Sequence, residues 1–158
     1  MLFRVASVLA LTAAAAAFPA RAQSTAPSTK VLVNTNQEGL ALQGYDPVAF
    51  FTQNHPVVGL PEITAVHRGA TYRFSSTEHR ALFQQEPGKY EPAFGGFCAY
   101  AVSQGGTAPV DVSTFQILHG RLVLNKNPDV LELFNRDREE RYRKAEANWP
   151  GIVEKKGR

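Results

Sequence analysis

From Thr71 to Phe74 polar and apolar residues alternate, which is the period of an extended strand. Tyr72 and Phe74 fall on one face and Thr71 and Arg73 on the other. With Ile63 and Val66 upstream, the segment ITAVHRGATYRF predicts a hairpin turning at Arg68-Gly69. The period then changes. Ser75-Ser76-Thr77-Glu78 matches a capping box, with Ser75 as cap and Glu78 reaching back. It predicts a helix from about Ser76 to Glu86 that turns Leu82 and Phe83 inward and ends at Pro87-Gly88. A second hairpin is predicted from Thr114–Leu118 and Arg121–Leu124 around His119-Gly120. Asn127-Pro128-Asp129 then opens the longest helix. Val130, Phe134, Tyr142 and Ala145 lie near one face of it, and Trp149-Pro150 is its expected end. Further upstream, Asp46-Pro47 starts one or two turns over Val48–Phe51, with Asp46 as the cap. Val31-Leu32-Val33 suits a short strand. The order of elements implies an α+β domain in which short antiparallel hairpins pack against helices.

The first 22 residues read differently. A basic start at Met1–Arg4, an apolar run from Val5 to Phe18 and the small-residue pattern Ala20-x-Ala22 form a signal peptide, with cleavage expected after Ala22. The apolar run is shorter than the roughly 20 residues a spanning helix needs. A periplasmic or secreted chain with no membrane span is the expectation. Losing Arg4 and Arg21 takes the formal charge from +3 to +1, too little to suggest nucleic acid as a partner. The charged run RDREERYRK, residues 136–144, carries both signs and reads as a solvated helix face. What remains is the size of one domain. We expect a flexible leader at 23–36, the domain at 37–150 and a tail at 151–158.

One cysteine cannot form an internal disulfide, although this compartment permits oxidation. Cys98 lies in YEPAFGGFCAYAV between Gly95-Gly96 and several aromatics. It can be a small core residue. With one or two histidines it can instead be a soft ligand for copper or zinc. A redox thiol is the third reading. His79 falls on the first turn of the helix after the capping box. His55, His67 and His119 lie in or beside turns, where exposed side chains are the ordinary case. The chain has no paired C-x-x-C, H-E-x-x-H, G-x-S-x-G, P-loop or dinucleotide fingerprint. No catalytic constellation is therefore assigned. The aromatics Tyr45, Phe50, Phe51, Tyr72, Tyr90, Phe94, Phe97 and Tyr100 read as core, or in part as the lining of a ligand groove.

The stretch HRGATYRFSSTEHRALFQQEPGKY resembles a YHS domain, through Gly69, Tyr72, Phe74, Ser76, Phe83, Pro87 and Tyr90. GYDPVAFF resembles that family's Asp-Pro-Val opening. GGFCAYAVSQG and ANWP are similar to its exported, single-domain branch. The likeness runs over about residues 40–150. Metal-handling members carry three cysteines where this chain has Ala49, Ser75 and His79, and only His79 keeps donor ability. The resemblance implies a non-enzymatic accessory module. A soft metal, copper or zinc, would be held by Cys98 and His79. The alternatives are a structural or protein-interaction domain with no ligand, and a thiol redox protein using Cys98.

Overall fold

A computed structural model describes residues 30–158; the expected signal peptide (1–22) and the first part of the expected leader (23–29) lie outside the described residues. Both predicted hairpins form. Strand β1 (Leu60–His67) pairs antiparallel with β2 (Ala70–Phe74), and β3 (Asp111–Leu118) pairs antiparallel with β4 (Arg121–Asn125). Both turns use the same device. Arg68 and Gly69 have φ of 50° and 75°, and His119 and Gly120 have 51° and 72°. Two successive left-handed residues match the right-handed twist of the flanking strands. Each hairpin has one irregularity in register, and Thr114 fills that of the second by accepting the Asn125 N–H at 2.8 Å.

The six α-helices among the described residues are α1 (Ala49–Thr52), α2 (Thr77–Gln85), α3 (Pro87–Tyr90), α4 (Ala99–Ser103), α5 (Pro128–Arg136) and α6 (Arg138–Lys156). With the two hairpins they make a small α+β fold. The core has two clusters. One gathers Val48, Phe50, Tyr72, Phe74, Phe83, Leu122 and Leu124; the other gathers Ala99, Val102, Val123, Phe134, Tyr142 and Ala145. Strand β4 lies between them. Its period of two sends Leu122 and Leu124 to the first cluster and Val123 to the second, so the strand is apolar on both faces.

Several expectations need correction. The cap of α2 is Ser76, whose hydroxyl oxygen accepts the His79 N–H at 3.1 Å, and not Ser75. Ser75 is drawn away by a stronger acceptor, described below. Phe83 is fully buried against Tyr72 and Phe74, but Leu82 is 37% exposed. Adjacent helical positions differ by about 100°, and only that of Phe83 faces the sheet. Pro87 stops α2 but also starts α3, as its preset φ suits a first helical turn. The expected long helix is two, broken at Asp137 (φ −137°, ψ 50°). The second part runs through Pro150 to Lys156. One missing N–H is outweighed by anchors on both sides: Asn148 Nδ2 donates to the carbonyls of Val102 (3.0 Å) and Ser103 (3.1 Å), Trp149 packs on Phe94 and Phe97, and Ile152 is buried. The expected tail 151–158 is therefore largely helix. Beyond it the Arg158 and Val31 backbones exchange hydrogen bonds of 3.1 Å each way. Val31–Val33 forms no strand.

The charged face behaves as expected, with Glu140 paired to Arg143 at 2.8 Å and to Lys144 at 3.4 Å. Among the described residues no helix is long and apolar enough to cross a membrane.

Candidate functional site

Asp46 is fully buried, and contrary to expectation it is not the cap of α1, whose N-cap is Val48 without a side-chain cap bond. Its Oδ1 accepts the Val48 N–H at 2.9 Å, which turns the chain into α1. Its Oδ2 accepts three donors from the start of α2: the Ser75 N–H at 2.8 Å, the Ser75 hydroxyl at 2.6 Å and His79 Nδ1–H at 2.6 Å. A carboxylate withdrawn from water is tolerated when its lone pairs are filled by donors. Four fill this one. The network joins residues 29 and 33 positions apart and ties the two short helices together.

The arrangement fixes the chemistry of His79. With Nδ1 donating to Asp46, the neutral form of the ring has its lone pair on Nε2. This is the tautomer that a carboxylate also imposes on metal-binding and acid–base histidines. The ring is mostly covered, with 14% of the side chain exposed, and Nε2 has Thr52 Oγ1 at 3.4 Å. Ser75 is not a nucleophile in this setting. Its hydroxyl gives its proton to Asp46, and the imidazole nitrogen nearest to it, Nδ1 at 3.4 Å, is itself a donor. Ala49, whose side chain has no donor atom, is buried in α1.

Cys98 sits elsewhere. It precedes α4, is 1% exposed, and packs in the first core cluster beside Val48, Phe50 and Leu122. Its thiol donates to Asn125 Oδ1 at 3.6 Å, and the same oxygen takes the Tyr100 N–H at 3.1 Å. No hydrogen bond joins Cys98 to His79; each belongs to a separate network. Among the described residues no group of three or more His, Cys, Asp and Glu side chains is disposed to hold a metal ion. The other histidines have partners of their own: Gln53 O for His55 at 2.9 Å, Glu91 for His67 at 3.0 Å and Glu139 for His119 at 2.8 Å.

The two glycines before Cys98 do a different job from shaping its surroundings. Gly95 has φ of 58°, and a Cβ there would lie 2.1 Å from Leu32 O. The segment Leu32–Asn34 is laid across Gly95-Gly96, with Asn34 N–H on Gly95 O (2.8 Å) and Asn34 Nδ2 on Gly96 O (3.0 Å). The sequence supplied the residues of the Asp46 network but not their meeting. An Asp before Pro and a Ser before a helix each have a complete local explanation, which hid the long-range contact.

No family model, curated protein or solved structure matches this chain. The class that fold and site define is therefore a small two-hairpin α+β protein with a buried Asp–Ser–His network.

Proposed function

We propose that the chain is an exported accessory module of the YHS type that binds a partner or ligand without chemical turnover, and that Cys98 and His79 do not form a shared soft-metal site. One observation carries this reading. Two of the three positions where metal-handling relatives place thiolates, Ser75 and His79, are spent on one buried carboxylate, Asp46 Oδ2, at 2.6 Å each. Ser75 and His79 thus act as a pin between α1 and α2. A metal at His79 Nε2 would have no second soft donor in the same network, since the Cys98 thiol is engaged by Asn125 inside the core.

Titration of the full chain with Cu(I) against a competing chelator tests the proposal. The expected result is no stoichiometric retention of copper, and identical curves for His79→Ala and Cys98→Ser. Tight one-to-one binding lost in both variants would overturn it and restore the paired site.

A further inference from the structure

Two recesses meet where both hairpin turns approach α6. The outer has a volume of about 330 Å³ and the inner about 70 Å³, and they share Arg68, Glu91, Phe94, Arg121 and Trp149. The outer one reaches the lower end of the range of small-molecule sites, about 300–1,000 Å³.

Its polar groups are incompletely used. Arg121, the first residue of β4, has a buried Nε with no hydrogen-bond acceptor, and no ion pair engages it among the described residues. Arg73 and Arg141 also have a buried Nε without an acceptor; Arg121 differs from them in lining both recesses. Arg68 comes from the other hairpin turn. Its Nε lies 3.4 Å from Glu91 Oε2, which leaves its terminal N–H groups without a protein acceptor. Glu91 is 13% exposed, is held by His67 Nε2 at 3.0 Å and braces Arg68. In the outer recess Arg68 and Arg121 face the carboxylates of Glu91 and, at its margin, Glu146; Lys30 borders only the inner recess and is paired to Glu154 at 2.8 Å.

The apolar wall is equally definite. Trp149 stands edge-on to Phe94 with ring centres 6.2 Å apart, and Phe94 packs on Tyr142 at 5.5 Å. Phe94 adopts a left-handed φ of 53°, a conformation with a real cost for a residue bearing a Cβ. Next to it, a Cβ on Gly95 would come within 3.2 Å of Trp149 Cη2.

We propose that the recess binds a small monoanionic carboxylate with a flat apolar or aromatic body, its carboxylate between Arg121 and Arg68 and its body against Trp149 and Phe94. The forked guanidinium matches the planar carboxylate. Two guanidinium groups balanced by the carboxylates of Glu91 and Glu146 favour a monoanion over a phosphate dianion. None of these residues belongs to the Asp46 network or contacts Cys98, so this site and the copper result are judged separately.

Trp149 is the chain's single tryptophan and reports on its own wall. The full chain is titrated with phenylacetate to about 20 mM, well past the ~1 mM dissociation constant so small a ligand can reach. We expect a saturable change in tryptophan fluorescence. Uncharged 2-phenylethanol should bind about tenfold more weakly or worse, and Arg121→Gln should weaken phenylacetate by a similar factor. Arg143→Gln, on the solvated face of α6, should leave it unchanged. Absence of a saturable change, equal binding of the alcohol, full affinity in Arg121→Gln, or displacement of phenylacetate by inorganic phosphate at equal concentration would each overturn the proposal. Should Arg121→Gln fail to fold, Arg121→Lys keeps the charge without the fork. Weakened binding is then expected, and wild-type affinity refutes the site.

Discussion

Asp46→Asn removes a charge from a buried site without leaving a cavity, so its cost isolates the network. The wild-type oxygens take four donors, at 2.9, 2.8, 2.6 and 2.6 Å. An asparagine can serve the three on Oδ2 with its carbonyl, but its NH2 group then faces the Val48 N–H, donor against donor. The opposite rotamer orphans three donors and is worse. In the better case three hydrogen bonds fall from the charged class, about 1.5–3 kcal/mol each, to the neutral class, about 0.5–1.5 kcal/mol, and one N–H is orphaned at about 1–3 kcal/mol. At their midpoints these terms sum to about 6 kcal/mol, an upper figure because three of the donors share one oxygen; about 3–5 kcal/mol, the range for breaking a buried ionic contact, is the expected loss. For a domain of this size it corresponds to a fall in Tm on the order of 10–20 °C. Urea unfolding followed by Trp149 fluorescence measures it, with the slope expected to stay near wild type so that the whole effect appears in the midpoint. His79→Ala in the Asp46→Asn background should cost much less than in the wild type, because the partner is already impaired. A loss below about 1 kcal/mol for Asp46→Asn would refute the reading of the network as a structural pin.

Gly95→Ala should destabilise by about 2–4 kcal/mol, since left-handed φ costs a Cβ-bearing residue about 1–2 kcal/mol and Leu32 O must also be displaced from 2.1 Å. Gly69→Ala, at φ of 75° but with open space around its Cβ, should pay only the backbone part; equal losses in urea unfolding would contradict this. Cys98 should resist neutral-pH alkylation in the native chain and react promptly in denaturant, as judged by mass, because its thiol is buried on Asn125. Burial, reinforced by the Glu91 carboxylate and opposed by Arg68, holds the Tyr72 phenol above the ordinary tyrosine value, and burial also raises Tyr142. Both rings favour the neutral form in the fold, so this contribution to stability is complete below the unfolded value of about 10 and is lost as the pH rises above it. In an alkaline titration of phenolate absorbance, Tyr72 should ionise only with unfolding, and its ionisation in a still-folded chain would count against the burial.

Elements with a local cause were legible in the sequence. Arg68-Gly69 and His119-Gly120 each sit between strand-like runs, and Asn127-Pro128 both caps and starts a helix, its Oδ1 accepting the Val130 N–H at 2.9 Å. Where two local causes competed, the pattern misled. Ser75 and Ser76 are equal as caps in isolation, and only the position of Asp46, far back in the chain, decides between them. Trp149-Pro150 reads as a terminus by propensity, but Asn148, Trp149 and Ile152 are each bound to other elements, and tertiary contact outweighs one missing backbone donor. The cleft at Arg121 was illegible for a similar reason. Its two arginines belong to separate hairpins and converge only when both turns face α6.

The crossing of Leu32–Asn34 over Gly95-Gly96, together with the Val31–Arg158 backbone exchange, has a dynamic consequence. Neither the Val31 segment nor Arg158 can open alone, because Val31 and Arg158 are bonded to each other and Asn34 is bonded to the glycine pair that backs Trp149. Amide exchange at Val31, Asn34 and Arg158 should therefore slow together, as one cooperative unit, whenever the neighbouring recess is filled.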